Sequence, residues 1–414
     1  MKGRCSEDVS ACVNESLGVL VVGGGPCGSF SALAAARRGA KVSVIEEHSE
    51  IGRPSHCAGH VSIHGLKTLG LEIPSDIIEN RISVASFHSP SGKRLRIECE
   101  KPVTYVIDRL LFDQYLAELA EDAGVSYLKG TGADSFWIEG NLVRGVFARG
   151  EKRLRMECKV VIDAEGVGAS LLRKARLALP HNDMMVIGAQ GDCSKVSNVE
   201  SDSVEIYLGS NYAPGFFAWI IPRQNGSAKV GLAANRGNPK LLLERFATRH
   251  PIASKKISGP LSDVTFHPIP LGGPQSRTHS DGLIIVGDAA SQVKPTTGGG
   301  IVFGLTCSRI AGTTAAEGVY QGDCSSRFLS RYEASWRGTL GREFSIGRFT
   351  RKMLSGLSDR AVDRIFSIAK ELQVEGSVDY LSEIDFEERI LQHCLRKPNV
   401  ALAFVCSLFS CMLS

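Results

Sequence analysis

The chain has 414 residues, 43% hydrophobic and 22% charged, which is globular composition at a length that exceeds what one core usually organises. A formal net charge of +4 argues against a dedicated nucleic-acid surface, while permitting contact with an anionic lipid headgroup or an acidic electron donor. The 12 cysteines include no CxxC pair, which excludes the ligand spacing of a zinc knuckle or an iron–sulfur cluster. Residues Met1 to Ser16 are polar and aperiodic and read as a loose tail without the apolar core of a secretory signal, so free thiols in a reducing, cytoplasmic setting are expected. From Leu17 the pattern tightens into strand, glycine turn, Ala-rich helix (Ser29 to Arg38) and a second strand ending at Ile45. Leu110 to Ala123 reads as a helix with Phe112, Leu116, Leu119 and Ala120 on one face. Alternating stretches between Tyr127 and Val161 read as antiparallel strands.

Val186 to Phe266 is strand-rich, Leu283 to Val286 is a buried strand, a Gly/Ala-rich helix spans about Gly299 to Gly318, and the rest, Arg327 to Leu413, is mostly helical. No apolar run reaches the ~18 residues of a bilayer-spanning helix. The best candidate, Val400 to Leu413, reads as a buried docking helix or a segment resting on a membrane interface. The expected class is α/β. A discontinuous nucleotide-binding domain (17–180 and 268–325) encloses a β-rich substrate domain (181–267) and precedes a helical region (326–414).

Gly23-Gly24-Gly25-Pro26-Cys27-Gly28 is a G-x-G-x-x-G turn between strand and helix. Its glycines let the backbone approach a pyrophosphate that the helix N-terminus then holds. Glu46 closes the next strand 18 residues after Gly28, placed to accept hydrogen bonds from ribose hydroxyls and to disfavour a 2′-phosphate. Two further strand ends, Asp163-Ala164-Glu165-Gly166 and Gly287-Asp288-Ala289-Ala290, the second followed by Pro295 and Gly298-Gly299-Gly300, resemble the downstream motifs of the glutathione-reductase-type FAD fold, as used by its hydroxylase and geranylgeranyl reductase branches. That resemblance implies that Asp288 holds the ribityl or pyrophosphate part, that Gly300 and Ile301 open a helix aimed at the flavin, and that Arg109 meets the phosphates. It also implies cofactor contact by Cys27 and by the backbone near Ala133.

The segment Glu50 to Ser62, containing Cys57-Ala58-Gly59-His60, resembles the Cys-Ala segment of the geranylgeranyl reductase family, where it lies beside the flavin. The likeness implies cofactor contacts for Cys57, Ala58 and His60, although the family often has glycine where this chain has His60. Pro214-Gly215-Phe216-Phe217-Ala218-Trp219-Ile220-Ile221-Pro222 resembles that family's P-x-x-Y-x-W-x-F-P lipid-cavity strand, with Phe217 and Ile221 in place of Tyr and Phe. Pro214, Phe217, Trp219 and Pro222 are thereby expected to line an apolar wall, where each buried methylene contributes about 0.8 kcal/mol.

The family implies reduction of isolated C=C bonds in isoprenoid chains of membrane phospholipids. The implied hydride comes from reduced FAD, and the proton from a flavin-bound water or Cys57. It implies ferredoxin or NAD(P)H as electron donor and a cytosolic enzyme working peripherally at the inner membrane face. A flavin monooxygenase shares the fold and downstream motifs, a chlorophyll-pathway reductase shares the alkene chemistry, and a non-enzymatic flavin electron carrier would lack a substrate cavity.

Overall fold

The computed structural model describes residues 17–175, 177, 184–371 and 376–377. The N-terminal tail and Val400 to Leu413 lie outside the described residues.

Strand Leu17–Val22 is buried throughout, as a central strand covered on both faces must be. It pairs in parallel with Val42–Glu46 and with the end of Arg153–Asp163, and Ser126–Lys129 and Leu283–Ile285 extend this sheet on either side. Arg153–Asp163 belongs to two pairings. Its first residues run antiparallel to Leu142–Arg149, and its last six lie beside Leu17–Val22. Helix Pro26–Ala36 starts earlier than Ser29, because Pro26 at the first helical position fixes the backbone angle a helix start needs. Helix Ile301–Gln321 packs across it so closely that a Cβ on Gly312 would lie 2.1 Å from the Ser31 carbonyl oxygen.

A second sheet runs in the order Leu261–Pro270, Met185–Cys193, Ala228–Ala234, Phe217–Pro222, Ser203–Leu208, Val84–His88, Arg94–Glu98, Gly376–Ser377. Its Val84–His88 and Arg94–Glu98 come from the N-terminal part of the chain and join through a parallel pairing of Val84–His88 with Ser203–Leu208. The strand-rich stretch also holds a helix, Pro239–Arg249. Asn238 caps it by accepting from the Lys240 and Leu241 N–H groups, and Leu243 and Phe246 face the sheet core. A small third sheet, Leu-free and short, pairs His60–Ser62 and Ile78–Ile82 with Thr104–Ile107 between the two larger ones. Two long helices follow, Ile301–Gln321 and Ser326–Ser355, then Asp359–Glu371.

Candidate functional site

The glycine turn is built as the sequence requires. Gly23 has φ +97°, and its N–H donates to the Ile45 carbonyl at 2.9 Å. A Cβ on Gly28 would lie 1.8 Å from the Gly23 carbonyl oxygen, so only glycine brings this helix onto its strand. A Cβ on Gly25, the residue capping the helix, would meet nothing within 4 Å, and no side chain satisfies the N–H groups there. Glu46 Oε2 accepts from the Gly24 N–H at 2.7 Å, and Oε1 accepts from the His48 N–H at 2.9 Å. The carboxylate is thereby held at the mouth of the turn, where ribose hydroxyls would approach.

Arg109 opens helix Arg109–Asp122, which Asp108 caps by accepting from Leu110 and Leu111 N–H. Its guanidinium donates to both oxygens of Asp113 at 3.0 to 3.1 Å and lies near the Cys57 side chain. Burial disfavours the charge, but Asp113 and Cys57 outweigh it and hold the Arg109 pKa above its usual range. Burial raises the Asp113 pKa despite the arginine. Cys57 Sγ also accepts the Gly59 N–H at 3.4 Å. Cys27 lies under the turn between Gly287 and Gly304, whose added Cβ atoms would meet its sulfur at 2.9 and 2.6 Å. Burial and the nearby Asp288 push its thiol up to about 12, so it is a packing thiol, not a nucleophile.

Asp288 sits in the turn Gly287–Ala290. Its Oδ1 is 3.3 Å from a Cβ placed on Gly300, and its Oδ2 is 3.8 Å from His267 Nε2. Gly300 caps helix Ile301–Gln321 without a side-chain hydrogen bond, leaving N–H groups at the helix start, beside Asp288. Asp163 is fully buried with Oδ2 unpartnered among the described residues, and burial with Glu165 nearby raises its pKa. Open space above Gly25 and the uncapped helix starts at Gly25 and Gly300 offer N–H donors, with the orphaned Asp163 oxygen as a buried acceptor, a combination that fits a flavin dinucleotide. Ala133 is half-buried on strand Gly132–Glu139, opposite Ala148 on the next strand.

The His60 ring is held within the small third sheet. Its Nε2 lies 2.6 Å from Thr104 Oγ1 on the neighbouring strand, and burial lowers its pKa to about 4. Folding thus favours the neutral ring, so the unfolded chain binds the extra proton between the ordinary value of 6.5 and about 4. Stability from this group is present above pH 6.5, falls with pH across that window and levels off below it. The predicted contribution is at most about 3 kcal/mol. Urea titrations of wild type and His60→Asn across that window should show a shallower acid loss in the variant; parallel losses would remove this role.

The Pro214 to Pro222 segment folds into strand Phe217–Pro222, with alternate residues on opposite faces. Ala218 and Ile220 enter the core under helix Pro239–Arg249. Phe217, Trp219 and Ile221 point to the other face, where Trp219 and Ile221 join Ala58, Ile82 and Val106. Phe216 stacks on Phe217 at 4.2 Å, and Phe217 meets Trp219 edge-on at 6.0 Å. Register sets the floor of this wall. Phe217 is in line with Ala233, Gly188 and His267, and Trp219 with Gly231 and Gln190. A Cβ on Gly231 would lie 2.6 Å from the indole, so the Trp219 ring lies on bare backbone. Pro214 and Pro222 are buried at the two ends of the segment.

Sequence reasoning missed three features. His56, beside Cys57, stacks on His267 at 5.1 Å, bridging the Cys-Ala segment to the second sheet. Gln292 accepts the Gly287 N–H and donates to Tyr332, whose hydroxyl donates to the Ile285 carbonyl, locking the Asp288 turn. Glu165 accepts the N–H groups of Ser170 and Leu171 and caps the helix Ser170–Lys174.

A family described as "FAD binding domain" matches residues 16–339. Digeranylgeranylglycerophospholipid reductase 2 of Methanothermobacter thermautotrophicus is 37% identical over 356 residues, covering 84% of this chain and 90% of the relative. The chain belongs to the digeranylgeranylglycerophospholipid reductase family. Another member, from Methanocaldococcus jannaschii, is 31% identical and covers 95% of this chain and 98% of its own. A solved geranylgeranyl bacteriochlorophyll reductase-like protein from Thermoplasma acidophilum matches with a TM-score of 0.85 at 28% identity, over 96% of this chain and all of the other. Membership in the digeranylgeranylglycerophospholipid reductase family makes this chain an FAD-dependent oxidoreductase. No described helix is long and apolar enough to cross a membrane.

Proposed function

We propose that the protein saturates C=C bonds in the geranylgeranyl chains of an ether phospholipid. The observation that carries this reading is the apolar face of Phe217, Trp219 and Ile221, floored by Gly231, whose Trp219 and Ile221 pack with Ala58 of the Cys-Ala segment. When bound and reduced, FAD supplies the hydride.

The chain's own residues do the rest. An isolated alkene offers no carbonyl to polarise, so positioning and water exclusion are the available means of catalysis. Phe217 and Trp219 supply a flat apolar wall against which a trisubstituted alkene can lie. Ala58 keeps the opposite side low. Cys57, with its sulfur accepting the Gly59 N–H beside Arg109, is our assignment for the proton carried to the second alkene carbon. The donor of electrons is ferredoxin or NAD(P)H, and the enzyme meets its lipid peripherally at the inner face of the membrane.

The test is anaerobic. Holoenzyme reduced with dithionite is mixed with digeranylgeranylglyceryl phosphate, and flavin absorbance and lipid mass are followed together. Reoxidation of the flavin with two hydrogens gained per double bond is the expected result. A flavin that stays reduced until air enters would overturn the reading in favour of an oxygen-using monooxygenase.

A further inference from the structure

Two partly buried guanidinium groups in this fold come with carboxylates. Arg109 has Asp113, and Arg223 has Glu79 and Asp192. Arg351 differs. It is 6% exposed, and no described carboxylate lies within ion-pair distance of it. Its side chain instead lies over the Phe216 ring, the guanidinium carbon 4.9 Å from the ring centre. Removing a cation from water without a counter-ion is costly, and a single ring face offsets only part of that cost.

Position says what the missing partner is. Leu340, Phe344, Gly347 and Arg351 share the buried face of helix Ser326–Ser355. Gly347, one turn before Arg351, sits against Pro295, at 3.0 Å from a Cβ placed there. This face therefore borders the loop that leads to Gly298-Gly299-Gly300. Phe216 connects the arginine to the lipid wall: it stacks on Phe217, and its Cζ is 3.6 Å from a Cβ placed on Gly298. Arg348 and Lys352 add positive charge on the same stretch of helix. An aromatic wall with a buried, unpaired cation at one end and Cys57-Ala58 toward the other matches an amphiphile whose head is anionic. The guanidinium fork suits two oxygens of one phosphate.

We propose that Arg351 binds the phosphate of the lipid substrate, anchoring the head while the isoprenoid chain lies along Phe216, Phe217 and Trp219. This rests on the reductase reading above and adds the residue that selects phosphorylated lipid over neutral lipid. Arg351 is a specificity residue, remote from the reacting atoms.

The experiment uses dithionite-reduced holoenzyme, so no nicotinamide donor is present. Wild type, Arg351→Gln and Arg351→Lys are compared on digeranylgeranylglyceryl phosphate and on digeranylgeranylglycerol, which carries the same chains without phosphate. Binding of the saturated diphytanylglyceryl phosphate is measured by calorimetry in parallel. For Arg351→Gln, kcat/KM on the phosphate lipid should fall about 10- to 100-fold, mostly through KM, with the neutral lipid little changed. Calorimetric affinity should fall by a similar factor, and Arg351→Lys should recover part of both. An equal loss on both lipids, or an intact phosphate preference, overturns the assignment. If wild type reduces neither lipid, the reductase reading fails and calorimetry alone decides: weaker binding of the phosphate lipid by Arg351→Gln supports the anchor, and unchanged binding overturns it. NADPH titrated in the same way separates the other source of phosphate, since a loss confined to NADPH would move Arg351 to the electron donor and overturn the lipid assignment.

Discussion

Replacing Gly28 with alanine is expected to give a chain that retains almost no flavin and unfolds earlier than wild type. The added Cβ would lie 1.8 Å from the Gly23 carbonyl oxygen, and both groups are backbone, so no rotamer change relieves the contact. Helix Pro26–Ala36 has to move off its strand. Its retreat is opposed on the far side by Ile301–Gln321, where Gly312 lies against the Ser31 carbonyl. Overpacking of this kind costs about 1–3 kcal/mol. The displaced helix start also loses its aim at the pyrophosphate, so FAD affinity is expected to fall about 100-fold or more. Gly25→Ala is the matched control, because its Cβ meets no protein atom within 4 Å. That variant should melt like the wild-type apoprotein and yet bind FAD poorly, since the methyl enters the space left for the phosphates. Flavin absorbance per protein and thermal melts of the stripped proteins separate the two effects. Full flavin content in Gly28→Ala would show that the turn is looser than its geometry requires.

The same contrast explains what could be read in the sequence. The glycine turn, Glu46 and the Asp288 strand end are local: backbone angles and short spacings dictate them, so the pattern carries them directly. The likeness to the family's lipid-cavity strand likewise placed Phe217 and Trp219 together on one wall. Helix Pro239–Arg249 carried a legible signal too, Asn238 before Pro239, which the surrounding strand-like composition masked. Long-range pairing is another matter. Nothing in Val84–His88 announces that it pairs with Ser203–Leu208, and the Gly231 floor under Trp219 exists only once three strands are in register. The hydrogen-bond partner of the His60 ring was equally hidden, since Thr104 is 44 residues away on a strand that the family pattern does not mark. Arg351 was invisible for the same reason: a cation in a sequence gives no sign of being buried or unpaired.

Arg109→Leu is expected to cost both stability and cofactor, and the two losses can be pulled apart. Asp113 is buried, and the guanidinium of Arg109, bonded to both its oxygens, is what lets it stay charged. Removing one partner of such a pair costs about 3–5 kcal/mol, because the other charge remains in a poorly solvated place. Burial already raises the Asp113 pKa above its ordinary 3.8, and loss of the arginine raises it further. A raised folded-state pKa means that the folded variant binds the proton more tightly than the unfolded chain. The variant should therefore be weakest at neutral pH and regain stability as the solution is acidified toward the ordinary carboxylate range, opposite in sign to the His60 effect. Arg109→Leu with Asp113→Leu removes both charges and should restore most of the stability, as apolar replacement of a buried pair commonly does. FAD binding should not return with it, since the donor that meets the phosphates is still missing and Cys57 has lost its guanidinium neighbour. Urea titrations at two pH values, with flavin content measured on the same samples, provide the check. A double variant that regains flavin along with stability would reduce Arg109 to the counter-ion of Asp113 and leave the phosphates to the helix N-terminus alone.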